Sequence, residues 1–205
     1  MPSKKSVPGV ILFHGGGWGS GSRVMFSYQC NYFASRGLVA ATVTYKLAKK
    51  AVANKTKGTE SRKRVCITDA KSAIRWYKQN ADELGIDPKR IIAGGGSAGG
   101  HISLLATTNP GLNDPGDPKQ YDATVAAYLL FNPALSAGDA KDPQVDFLQH
   151  LRDDLSPAIV FFGSEDNWMK KGWKAADTKM ASLKIADSVD VRIAVGQGHG
   201  FFNKQ

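Results

Sequence analysis

The chain has 205 residues, 42% of them hydrophobic, and its 27 Lys and Arg against 18 Asp and Glu give a formal charge of +9. That length suits one domain with a sizeable core, and the composition is that of a soluble globular protein rather than a disordered or fibrous one. No apolar run approaches the roughly 20 residues that span a bilayer, and the start MPSKKSVPG lacks the apolar stretch of a signal peptide, so no membrane association is expected and the compartment, cytoplasmic or exported, stays open.

In chain order, Val7–Phe13 (VPGVILF) predicts a buried parallel strand that runs into a glycine-rich loop, His14-Gly15-Gly16-Gly17-Trp18. Residues 22–35 read as a helix stopped by Gly37, and 38–45 (LVAATVTY) as a second buried strand. The segment 46–64 holds eight basic residues, among them Lys46, Arg62, Lys63 and Arg64. No aromatics interleave with them, so it reads as a solvated loop and not as a nucleic-acid-binding face. Residues 65–84 predict a long amphipathic helix capped by Gly85, with Asp87-Pro88 leading into a strand at 91–93. A helix is expected after Ser97, ending before Pro110, and then a Gly/Pro/Asp-rich loop over 109–119. Strands follow at 125–131, 158–162 and 189–195, with a helix at 171–186 and one short helix within 145–151. Strands alternating with helices, with apolar strand runs, predict an α/β fold: a mostly parallel sheet covered on both faces. Two cysteines, Cys30 and Cys66, lack metal-ligand spacing; they are expected to be buried free thiols, with one disulfide between them as the alternative.

The chemistry concentrates at the ends of those strands, where ligands bind in such sheets. Gly95-x-Ser97-x-Gly99 fits the G-x-S-x-G turn that lifts a serine hydroxyl above a sheet and aims the next N–H, that of Ala98, at a developing oxyanion. The alternative for these glycines is a plain strand-helix turn that cradles a phosphate; for the His14–Gly17 loop the same alternative is weakened because no Lys-Ser/Thr follows it. A serine hydroxyl needs a base, and the base an orienting acid. Of four histidines, His199, in GQGHGFF after the last strand, is the candidate base. His14 is expected to fix its own loop, His101 to pack along the helix after Ser97, and His150 to be exposed. Asp166 is the candidate acid, with Glu165 adjacent as the alternative; Asp187 and Asp190 precede a strand and lie at the opposite sheet edge. Gly16 and Gly17 are candidates for further oxyanion donors. Trp18 and Asn132 are candidates for substrate contact, Trp18 equally for packing.

HGGGW at 14–18, DPKRIIAGGGSAGGH at 87–101, LFNP at 130–133, GSED at 163–166 and GHGFFN at 198–203 together resemble the α/β-hydrolase superfamily. More narrowly, the chain is similar to the hormone-sensitive-lipase-like esterase and lipase group, including acetyl-xylan-esterase-like carbohydrate esterases. The resemblance implies an α/β-hydrolase catalytic domain over 1–205 with a Ser97-Asp166-His199 triad, an oxyanion hole of Gly16, Gly17 and Ala98, and no metal or other cofactor. It also implies a small-molecule or carbohydrate ester as substrate. The superfamily carries further strands before the HGGG strand and a helix after the histidine loop, so both ends are expected to be trimmed. No segment has the length of a helical cap, which leaves 134–157 as the only stretch for a lid and predicts an open cleft. Serine peptidase or arylformamidase chemistry on the same triad, and a non-catalytic ligand-binding role, are the competing readings.

Overall fold

The computed structural model describes residues 6–48 and 61–203. Six strands form one parallel sheet in the order β2-β1-β3-β4-β5-β6: β1 (Val7–Phe13), β2 (Val39–Val43), β3 (Ile86–Gly96), β4 (Ala127–Phe131), β5 (Ala158–Gly163) and β6 (Val189–Ala194). All strands therefore end at one edge, and His14, Ser97, Asn132, Asp166 and His199 follow those ends.

The helices divide unequally between the faces. On one face lie α2 (Arg62–Gln79), α4 (Ala98–Thr108), α5 (Phe147–His150) and α6 (Lys174–Ser182), which share a core with Ile11, Phe13, Ala93, Leu130 and Val160. On the other, among the described residues, α1 (Ser27–Ser35) covers Val10, Leu12 and Leu129 through its own buried Cys30, with Phe26 buried just before it. Over β4 and β5 this second face is an open apolar trough of about 830 Å³, lined in part by Tyr28, Tyr32, Phe131, Phe161 and Phe202. The sheet is thus parallel as expected, but thinly covered on this side.

Several expectations shift in detail. The strand expected at 91–93 starts at Ile86, because the Asp87-Pro88 turn is absorbed as a bulge: Val7 pairs with Ile86, and Gly9 next with Ile91. The helix expected over 65–84 begins three residues earlier and breaks at Asn80, leaving α3 (Ala81–Leu84), which Gly85 closes in the left-handed conformation. The helix expected at 22–35 opens with a 3₁₀ turn, Arg23–Phe26. That expected at 171–186 is preceded by a π-helical turn, Met169–Trp173, and ends at Ser182.

The basic segment is corrected in part. Lys49, Lys50, Lys55 and Lys57 lie outside the described residues. Arg62, Lys63 and Arg64, however, form the first turn of α2 rather than a solvated loop. Lys63 pairs with Asp139, and the Arg64 guanidinium grips both oxygens of Asp142 at 2.9 and 2.6 Å. The stretch 134–157 is correspondingly no loose lid. Leu135, Val145, Phe147 and Leu151 enter the main core, and those two ion pairs tie it to α2. Cys30 and Cys66 are both buried free thiols, as expected, and burial pushes the Cys66 thiol up to about 12.

Candidate active site

β3 delivers Ser97. The strand ends in three glycines, and Ser97 turns at φ 55°, ψ −119° into α4. That conformation is strained for a residue with a side chain, costing on the order of 1–3 kcal/mol, and persists only where the surroundings over-determine it. Here the Ser97 N–H donates to Phe131 O on β4 at 2.9 Å, and the Ser97 carbonyl accepts from Gly100, His101 and Ala134. Glycine is required beside it. A Cβ on Gly99 would lie 1.9 Å from the Phe13 carbonyl oxygen, and one on Gly95 2.2 Å from the same atom. The turn therefore packs backbone against backbone.

β5 and β6 deliver the other two groups. Asp166 is 1% exposed in its side chain; its Oδ1 accepts from the Trp168 N–H at 2.9 Å and its Oδ2 lies 2.9 Å from His199 Nδ1. His199 Nε2 stands 2.8 Å from Ser97 Oγ. Sequence separations of 33 and 102 residues are thus closed into one hydrogen-bonded chain. With Asp166 accepting from Nδ1–H, Nε2 is left as the acceptor for the serine proton. Glu165 is exposed and bonded to Ser164 and Lys170, so the alternative acid lies away from His199.

The loop after β1 faces Ser97. A Cβ on Gly15 would come within 3.2 Å of Ser97 Cβ. Gly16, Gly17 and Trp18 follow at φ 113°, 60° and 59°, a left-handed run that turns the chain sharply. Among the described residues, the N–H groups of Gly16, Gly17 and Ala98 donate to no protein acceptor. His14 is fully buried and stacked 4.0 Å from the Tyr45 ring; its Nδ1 is 2.6 Å from Gly15 O, and Tyr45 Oη donates to its carbonyl. Burial lowers its pKa, so His14 braces the loop as a neutral ring.

Of the two residues expected to meet substrate, Asn132 is corrected, and Trp18 takes the packing place that was its other expectation. Asn132 is 0% exposed and cannot touch substrate. Its Oδ1 accepts from Gly163 N–H at 3.0 Å, and its Nδ2 donates to the carbonyl of His199. It joins the ends of β4 and β5 to the histidine loop. Trp18 is 9% exposed and part of the main core, with Nε1 donating to His101 Nδ1 at 3.2 Å. His150 is half-buried rather than exposed, its Nε2 lying 2.9 Å from Pro143 O. His101 is fully buried, as expected of a packing residue.

The residue that sequence reasoning passed over is Trp168, half-buried, 6.3 Å from the His199 ring and 6.5 Å from that of Trp18 between centroids. Its signal was available: an aromatic two positions after the candidate acid. Among the described residues no group of three or more His, Cys, Asp and Glu could hold a metal ion.

A family model described as BD-FAE matches residues 1–134. Esterase 2 of Thermogutta terrifontis, in a structure phosphorylated by paraoxon, superposes with a TM-score of 0.82 at 33% identity, covering 98% of this chain and 75% of that one. Its propionate-bound form gives 0.81 at 32%, over 98% and 76% of the two chains. Esterase LipC of Mycobacterium tuberculosis is 31% identical over 160 residues, 74% of this chain and 36% of LipC. Mouse arylacetamide deacetylase is 30% identical over 173 residues, 80% of this chain and 40% of that protein. The chain thus spans well under half the length of these two relatives.

Proposed function

The chain belongs to the BD-FAE family and has the α/β-hydrolase fold, and from that premise we infer that it is a serine carboxylic-ester hydrolase working through Ser97, His199 and Asp166. The observation that carries this reading is the hydrogen-bonded chain from Ser97 Oγ through His199 to Asp166. Ser97 Oγ adds to the ester carbonyl while its proton passes to His199 Nε2. Asp166, accepting from Nδ1, holds the ring in the receptive tautomer and stabilises the imidazolium. The carbonyl oxygen, now negative, is received by the N–H groups of Gly16, Gly17 and Ala98. Loss of one such donor typically costs roughly 3 kcal/mol of barrier. The alkoxide leaves with the proton from His199, and water repeats the sequence on the acyl-enzyme.

The substrate class is a short-acyl ester, acetyl foremost, including acetylated carbohydrate. The similar esterase 2 was solved with propionate and with butyrate, which supports the small acyl side. An amide reading has one observation in its favour, the similarity to an arylacetamide deacetylase.

The test is p-nitrophenol release from acetate, butyrate and octanoate esters, with p-nitroacetanilide beside them. Acetate is hydrolysed fastest, and Ser97→Ala lowers the rate by at least about 10³-fold. Faster turnover of octanoate overturns the acyl preference, and faster anilide cleavage overturns ester over amide. Equal rates for wild type and Ser97→Ala overturn the mechanism.

A further inference from the structure

Trp18 stands directly after Gly16 and Gly17 and is itself held at φ 59°. A bulky residue adopts that conformation only under constraint. The constraints are three contacts, from α4 and α2. Nε1 donates to His101 Nδ1 on α4, four residues beyond Ser97. Lys63 Nζ, on the first turn of α2, sits 3.9 Å above the indole ring. The Trp18 carbonyl accepts from Cys66 Sγ at 3.6 Å.

Those partners are themselves fixed from 134–157. His101 Nε2 is 2.9 Å from Val145 O and 3.4 Å from Asp139 Oδ2, so Nε2 carries the proton and Nδ1 is the acceptor that Trp18 needs. Asp139 also pairs with Lys63, holding the ammonium over the ring. Burial alone asks of an indole that its N–H find an acceptor, which His101 supplies; the cation held on the ring face goes beyond what filling the core needs.

We propose that Trp18, gripped by His101 and by the Lys63–Asp139 pair, is the positioning residue that sets the N–H groups of Gly16 and Gly17 opposite Ser97. It touches no reacting atom and acts through the two glycines. This rests on the function proposed above. A displacement of about 1 Å at such donors is enough to cost on the order of 10²-fold in rate.

The experiment uses the whole chain. Active sites are titrated with paraoxon, and kcat and KM for p-nitrophenyl acetate are expressed per titrated site. Inhibition by an aryl trifluoromethyl ketone is measured in parallel. In that adduct Ser97 Oγ bonds to the ketone carbon, its proton goes to His199, and the former carbonyl oxygen carries the charge. Trp18→Phe keeps the ring and removes the N–H; Lys63→Met removes the cation; Lys63→Arg restores it. Trp18→Phe and Lys63→Met are expected to lower kcat per site 10- to 100-fold and to raise the ketone Ki by the same factor, about tenfold to a hundredfold, with KM within about threefold. Lys63→Arg is expected to stay within about threefold of wild type. If kcat per titrated site is unchanged in Trp18→Phe and Lys63→Met, or total activity falls only with the titre, the positioning role is wrong and Trp18 is packing alone. If wild type neither titrates nor differs from Ser97→Ala, the proposed function fails, and this inference with it.

Discussion

Asn132 illustrates how much of the site is held by side chains that never meet substrate. Its own backbone is left-handed, φ 46°, and its N–H donates to Phe161 O at 2.7 Å, so β4 and β5 are locked together where they end. The amide then reaches the His199 carbonyl across 67 residues of sequence. Asn132→Ala leaves the buried Gly163 N–H without a partner and frees the histidine loop. The expected outcome is a stability loss of about 1–3 kcal/mol in urea unfolding, together with a fall in kcat about tenfold or more at little-changed KM. An Asn at the end of an apolar strand was visible in the sequence, and so was its place beside the site. Its role was not, because the Gly163 N–H and the His199 carbonyl come near it only once three strands are stacked in order. Ser97, Asp166 and His199 could be singled out because each lies just past a recognisable strand and only one serine has glycine two positions to either side at such an end. Trp18 was ambiguous for the same reason that Asn132 was misread: burial is a property of the assembled fold.

At the scale of elements, the turn between β3 and α4 depends on distance of approach more than on chain flexibility. Gly99 admits no Cβ, since one would lie 1.9 Å from Phe13 O and 2.7 Å from His14 O, both backbone atoms where β1 runs into the glycine loop. Gly99→Ala forces α4 away from β1 and is expected to cost on the order of 3 kcal/mol or more in chemical denaturation. Gly37, at φ 84° with nothing within 4 Å of its Cβ position, offers the contrast. There Gly37→Ala is expected to cost only about 1 kcal/mol, the conformational preference alone. Elements bounded by local signals were legible: β1 is found over the very residues its apolar run marks. The start of α2 was not. Three consecutive basic residues resemble a loop until Asp139 and Asp142, more than seventy residues on, are seen to neutralise two of them.

Across the whole molecule, charge is used to fasten loops to the helical face. Lys71, 3% exposed on α2, donates to the carbonyls of Asn109 and Gly111 and so secures the Gly/Pro-rich loop after α4. Burial first, and then the nearby Arg75, bring its pKa down from 10.5 to about 8, against the attraction of Asp117. Between about pH 8 and 10.5 the unfolded chain therefore holds this proton and the folded chain releases it. The Lys71 contribution accordingly makes folding more favourable as pH rises through that window, by up to about 1.4 kcal/mol per pH unit. Urea unfolding of wild type and Lys71→Met at pH 8 and pH 10 reads it directly: the difference between them shifts toward wild type at the higher pH, and a constant difference excludes the linkage.

The sheet order has an effect on how the protein fails. Asp166 and His199 follow β5 and β6, and among the described residues β6 pairs with β5 alone and exposes most of its residues. Ser97, by contrast, follows β3, which has partners on both sides and lies against α4. The reacting groups thus belong to regions of unequal local stability. Peeling of the rim strand is a sub-global fluctuation that needs less free energy than loss of the central strands. It carries the histidine away while the serine stays in place. Inactivation on warming therefore registers the fraying of one border of the protein, ahead of the melting of its centre.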